Sequence, residues 1–197
     1  MNGLISNKNR YLVILIAALM AMVYFLPVWK IKMGGNQFPE PLVIKIWVDR
    51  ITGATDYDLY TINDFNHYVG MKKIYPDSIP ELKIMPYILA FMIFGAVITI
   101  FHRRLYMVYL GLINLILVGI AGMYDFYRWL HNFGTDMDTS APLYSKDVDF
   151  QPPMIACKKI LNVTTCSWPH IGAWILIASL AILVYIIYSE RKSHEKA

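Results

Sequence analysis

Charge is scarce in this 197-residue chain: Asp, Glu, Lys and Arg together make up 16%, against 57% hydrophobic residues. The scarcity is uneven, because four runs, 11–27, 84–101, 105–124 and 171–188, contain no formal charge at all. Proton pumps, ion channels and ion-coupled transporters keep acidic or basic side chains inside their spans, so these empty runs argue against all three. Also missing are a nucleophile elbow, a Walker loop, an HExxH pair and a dinucleotide fingerprint, and no enzymatic activity is expected. Cysteine is nearly absent. The chain has only Cys157 and Cys166, both late in the sequence. Membrane thiol oxidases share a four-span topology but need a second redox pair in the first outer loop, which has no cysteine. A thiol oxidoreductase is therefore an alternative that rests on span count.

What is present is lipid-compatible length. At about 1.5 Å per residue each run reaches roughly 25–30 Å, enough to cross a hydrocarbon core. Lys8 and Arg10 before the first run resemble the basic region of a signal peptide. The run is longer than an h-region, however, and continues into "MVYFLPVWK", with aromatics where small cleavage-site residues belong. Lys8 and Arg10, the turn His102-Arg103-Arg104, and the tail "ERKSHEKA" all fall on one side, which assigns both termini to the cytoplasm of a multi-pass inner-membrane protein. The segments are then 1–27 (N-terminus and first span), 28–83 (first periplasmic loop) and 84–124 (second span, cytoplasmic turn and third span). The second periplasmic loop, 125–170, and the fourth span with its tail, 171–197, complete the chain. The net charge of +4 is modest and calls for no nucleic-acid partner.

The expected fold is an all-α membrane bundle of four transmembrane helices carrying a small periplasmic α+β cap built from the two outer loops. In the first loop, "VWKIKM" and "LVIKIWV" read as two short strands around the turn-rich "GGNQFPEP". "DLYTINDFNHYVGM" changes period: Leu59, Ile62, Phe65 and Val69 share one helical face, and Asn63, Asn66, His67 and Gly70 fall on another. Thr61 and Asp64 resemble a capping box, and Gly70 suits the helix end. In the second loop the third span continues as "YDFYRWLHNFG", followed by irregular acidic chain, and Pro169 fits the first turn of the last span.

Several groups carry candidate chemistry. His67 and Met71, at i and i+4, bring imidazole and thioether together, a soft pair that suits copper; the competing explanation is ordinary packing of a short helix. His131, Asp136, Met137, Asp138, Met154, Cys157, Cys166 and His170 gather in the second loop without tight metal-ligand spacing. For the two cysteines a structural disulfide competes with soft metal ligation and with free thiols. Asp125 and Arg128 are spaced for an ion pair at the end of a span, where Arg can snorkel to the interface. Asn114 suits an interhelical hydrogen bond.

"LPVWKIKM..NQFPEPLVIKI", "INDFNHYVGMKKI", "IPELKIMPYILA", "DFYRW..NFGTDMD" and "FQPPMIACKKILN" together resemble a bacterial integral membrane protein family associated with nitrous-oxide reductase gene clusters, and so with denitrification, particularly in Bacteroidota. The similarity runs from about Leu26 to Trp174, and "INxxNHYxGMK" is its most specific part. The resemblance implies service to a periplasmic copper enzyme or its maturation proteins: copper delivery, maturation, or membrane docking and electron supply. Any copper would be transient, with His67 and Met71 as its ligands. The motif positions that carry over are Asn66, His67, Tyr68, Gly70 and Met71, with Gly134 and Asp138 in the second outer loop and Asn63 as a further interaction position, and no catalytic residues do. Cys157 and Cys166 lie outside the family pattern, which weakens cysteine as a shared ligand.

Overall fold

The computed structural model describes residues 3–194; Glu195, Lys196 and Ala197 of the basic tail lie outside the described residues. Among the described residues, four helices are long and apolar enough to cross a membrane. They are α1 (Asn7–Met22, extended by a 3-10 turn over Val23–Phe25), α3 (Pro80–His102), α4 (Leu105–Thr135) and α5 (Ile171–His194). A short helix, α2 (Asp58–Val69), precedes α3. Val13, Ile16, Met20, Val108, Leu115 and Ile186 interlock inside the bundle. Many other apolar side chains of the spans, among them Phe91, Phe94, Leu117 and Ile120, face outward exposed, as a lipid bilayer requires and water would not favour. This is a multi-pass membrane protein.

The three basic groups do meet at one end of the bundle. Ile5 N–H donates to Arg103 O at 2.7 Å, the Arg103 guanidinium returns a bond to Ile5 O, and Leu4 bridges Arg104. Charge also goes deeper there than the uncharged run 171–188 suggests, because α5 continues past Tyr188. Glu190 is buried and accepts from Ser6 N–H at 2.8 Å, from Ser6 Oγ at 2.7 Å and from Asn9 Nδ2 at 2.6 Å. It thereby ties α5 to the N-terminus of α1, where exposed backbone N–H groups favour a carboxylate.

At the other end stands a five-stranded sheet. It comprises β1 (Trp29–Gly35), β2 (Leu42–Ile46), β3 (Ile51–Gly53), β4 (Ala156–Ile160) and β5 (Val163–Pro169), in the order β3-β2-β1-β5-β4. All pairs are antiparallel. Two strands are expected from the sequence of the first loop; β3 adds a third, and β4 and β5 form a hairpin in a stretch with no strand signal. β1 is central, so segment 28–83 pairs with segment 125–170 along seven residues, from Trp29↔Pro169 to Gly35↔Val163.

Alternation sets the inner face. Trp29, Ile31 and Met33 of β1 join Ile44, Ile51 and Val163 against Ile62 of α2 and Leu130 of α4. Helix α4 supplies that surface because 31 residues reach about 46 Å, roughly 15 Å more than a hydrocarbon core needs. Its projecting turns carry Phe126, Trp129 and Phe133, and Phe126 meets Trp29 with ring centroids 5.1 Å apart.

Candidate functional site

Helix α2 begins at Asp58, not at a Thr61 cap. Thr61 lies inside the helix, its hydroxyl donating to Tyr57 O at 2.9 Å, and the N-terminal anchor is the buried Asp58 carboxylate. Asp58 accepts from Val43 N–H (3.1 Å), Ala54 N–H (2.8 Å), Thr55 N–H (3.4 Å) and Thr55 Oγ1 (2.5 Å), joining the helix to β2 and to the turn after β3. Burial pushes its carboxyl pKa up, but these donors outweigh burial and leave it below the usual value.

At its other end α2 stops at Gly70, in the left-handed region at φ 86°. Met71 N–H returns to Asn66 O at 2.8 Å, and the chain turns sharply downward. Asn63 and Asn66 hold that turn from inside. Asn63 clamps Ile74 through both backbone groups, accepting from its N–H at 2.7 Å and donating to its carbonyl at 3.0 Å. Asn66 donates to Lys72 O at 3.3 Å and is only 4% exposed, although helical phase alone places it with the solvent-facing polar residues.

Segment 125–170 crosses this helix end. Asp138 N–H donates to Gly70 O at 2.8 Å, and Leu143 N–H to Tyr68 O at 3.0 Å. The approach is so close that a Cβ at Gly70 would lie 2.4 Å from Asp138 O. Two sequence motifs some seventy residues apart are thus in contact. His67, Met71, Met137 and Asp138, with Gly70, Lys72 and Asp136, line one open depression of about 390 Å³. Lys72 and Asp136 form an ion pair across its rim.

His67 is exposed, its ring 6.0 Å from that of Tyr68. Asp138 Oδ1 accepts from Ser140 Oγ at 2.6 Å and Ser140 N–H at 2.9 Å. These bonds, with the nearby His67 as a minor contribution, hold its pKa below the usual carboxylate range. Met71 and Met137 are half-buried against Val69, Phe150 and Ile160, and Met71 also borders an apolar void of about 50 Å³ behind the depression. Their thioethers therefore pack and line the depression at once.

Among the described residues, no group of three or more His, Cys, Asp and Glu side chains gathers as a metal centre. The groups at this depression that could hold a soft ion are the Met71 and Met137 thioethers, the His67 imidazole and the Asp138 carboxylate. Met137 is the member that the i, i+4 reading of α2 leaves out; its signal is its place beside Asp138 in "GTDMD".

The remaining candidates lie elsewhere. Cys157 and Cys166, directly opposite each other on β4 and β5, form a disulfide, which removes both thiols from any ligand set. Gly134 allows Gln151 to pass, since a Cβ there would meet Gln151 Cα at 2.4 Å. Asp125 and Arg128 pair at 2.9 Å, and Glu81 of α3 adds a second, longer contact to Arg128 at 3.7 Å. His131 faces Gln151 Oε1 at 3.2 Å, and His170 sits at the base of the sheet. No protein-family model and no curated protein matches this chain.

Proposed function

We propose that this chain is a non-enzymatic accessory protein of the bacterial inner membrane, with both termini cytoplasmic. It serves the maturation of a periplasmic copper enzyme, such as nitrous-oxide reductase, by passing on copper. The observation that supports this reading is the convergence of His67 and Met71 from one outer loop with Met137 and Asp138 from the other around a single open depression. Imidazole and thioether suit copper, and Cu(I) above all, better than Mg²⁺ or Ca²⁺, which prefer full oxygen shells. An open, half-exposed donor set also suits cargo that must leave again.

Two measurements test the proposal. Purified protein loaded with Cu(I) should retain about one equivalent, and His67→Ala or Met71→Ala should each weaken retention. In a deletion strain the periplasmic enzyme should accumulate copper-deficient. Equal retention in both variants would sink the site.

A docking or electron-supply role is the second reading, favoured by the exposure of Tyr57 at the N-cap of α2 and of Tyr60 and Tyr68 along it, since tyrosines are enriched at protein interfaces. Under that reading the deletion strain yields a fully loaded enzyme that is slow or mislocalised.

A further inference from the structure

The outward face of the sheet is used neither by the cap core nor by the depression. Alternation puts Lys30 and Lys32 of β1, Lys45 of β2 and Lys159 of β4 on it, together with Thr52, Val43, Thr164, Trp168 and the disulfide, and no acid. None of the four lysines has an ion-pair partner among the described residues. Lys30 stands directly opposite Lys45 on one side and Trp168 on the other. Like charges directly opposite each other destabilise a sheet, so folding does not explain this pair.

Chain continuity fixes the height of that pair. Lys30 follows the end of the first apolar run, Pro27, by three residues, and Trp168 precedes the first residue of α5, Ile171, by three. Val48, in the turn between β2 and β3, packs against the core of the membrane bundle. At about 3.3 Å per residue, Lys30 and Lys45 lie within about 10 Å of the span ends, where flexible ammonium side chains reach the headgroup layer. Lys32 stands roughly 7 Å higher and Lys159 higher again. Trp47 lies beside Lys45, its indole donating to Thr52 at 2.9 Å. The Arg50 guanidinium covers its ring at 4.4 Å and is itself neutralised by Asp49 at 2.8 Å. Trp168 is exposed on the other side, and tryptophan is enriched at this depth of a bilayer.

We propose that Lys30 and Lys45, flanked by Trp47 and Trp168, bind the phosphate of an anionic phospholipid in the leaflet on the sheet side. An acidic protein surface would use the whole face. Five strands by about five residues give only about 400 Å², half of what one partner buries in a stable complex.

The test is native mass spectrometry of the full chain in neutral detergent, titrated with phosphatidylglycerol or phosphatidylcholine. The first phosphatidylglycerol should bind at least about tenfold more tightly than phosphatidylcholine. Each lysine near an anionic surface contributes about fivefold, so Lys30→Gln with Lys45→Gln should cost about 25-fold, and Lys32→Gln with Lys159→Gln less than about threefold. Lys30→Arg with Lys45→Arg should keep the preference. Equal binding of the two lipids overturns the proposal. So does a loss that follows Lys32 and Lys159, which points to an acidic protein above the bilayer, or displacement by millimolar inorganic phosphate, which points to a free-anion site.

Discussion

Single atoms decide whether the depression exists. At Gly70 two demands coincide: a left-handed backbone that closes α2, and room for Asp138 O where a Cβ would intrude at 2.4 Å. Gly70→Ala should therefore destabilise the cap by about 1–3 kcal/mol and push the second loop away from His67. Thermal unfolding in detergent together with copper retention checks both effects. His170 gives a pH signature. Burial, then the charges of Lys30 and Lys45, hold its pKa below the ordinary 6.5, against a weaker pull from Pro27 O. The unfolded chain takes up that proton first, so stability is full above pH 6.5 and falls as pH drops through it toward the folded value. The unfolding midpoint should fall on acidification from neutral pH, and the fall should flatten in His170→Gln. His67 and Met71 border the same depression, but not through helical i, i+4 spacing, because α2 ends at Val69 and Met71 lies beyond the left-handed Gly70. Helical phase puts Asn66 on the polar face of α2 but does not show that it is buried there, because phase does not register that the carbonyl of Lys72, beyond the cap, needs a donor.

Among the elements, the projecting end of α4 carries the most weight, since the sheet folds against it. Leu130 is 1% exposed at that contact, and Leu130→Ala should cost about 3 kcal/mol in cap stability while leaving the bundle intact. Protease sensitivity of residues 136–155, compared with wild type, checks it. The four spans were readable as long uncharged runs, and β1 as an alternation of Trp29, Ile31 and Met33 with lysines. The hairpin of β4 and β5 was not readable, because polar groups occupy buried positions: Thr165 is 3% exposed, and Ser167, at 0%, accepts from Trp29 Nε1 at 2.8 Å. A strand whose inner face carries Thr165 and Ser167 after a single Val163 shows no hydrophobic period to find. The three residues of β3 are too few to show one. The disulfide closes that hairpin, so Cys157→Ser should lower cap stability by about 2–3 kcal/mol and leave copper retention unchanged. Lost function with an undiminished cap would favour thiol exchange instead.

Over the whole molecule, one pairing accounts for the rest. The seven-residue ladder between β1 and β5 joins segments 28–83 and 125–170 in a single sheet, at one end of a bundle whose basic groups collect at the opposite end. Neither segment alone lines the depression: the end of α2 brings His67, the turn after it Met71, and the chain after α4 Met137 and Asp138. Sequence spacing could not join them, because nothing local specifies that β1 chooses β5 as a neighbour. The most direct measurement is X-ray absorption at the copper edge on Cu(I)-loaded protein. The expected spectrum shows a mixed nitrogen and sulfur shell that loses its sulfur scattering in Met71→Leu with Met137→Leu and its nitrogen imidazole pattern in His67→Ala. A shell unchanged by those substitutions, or no retained copper in wild type, would contradict the site.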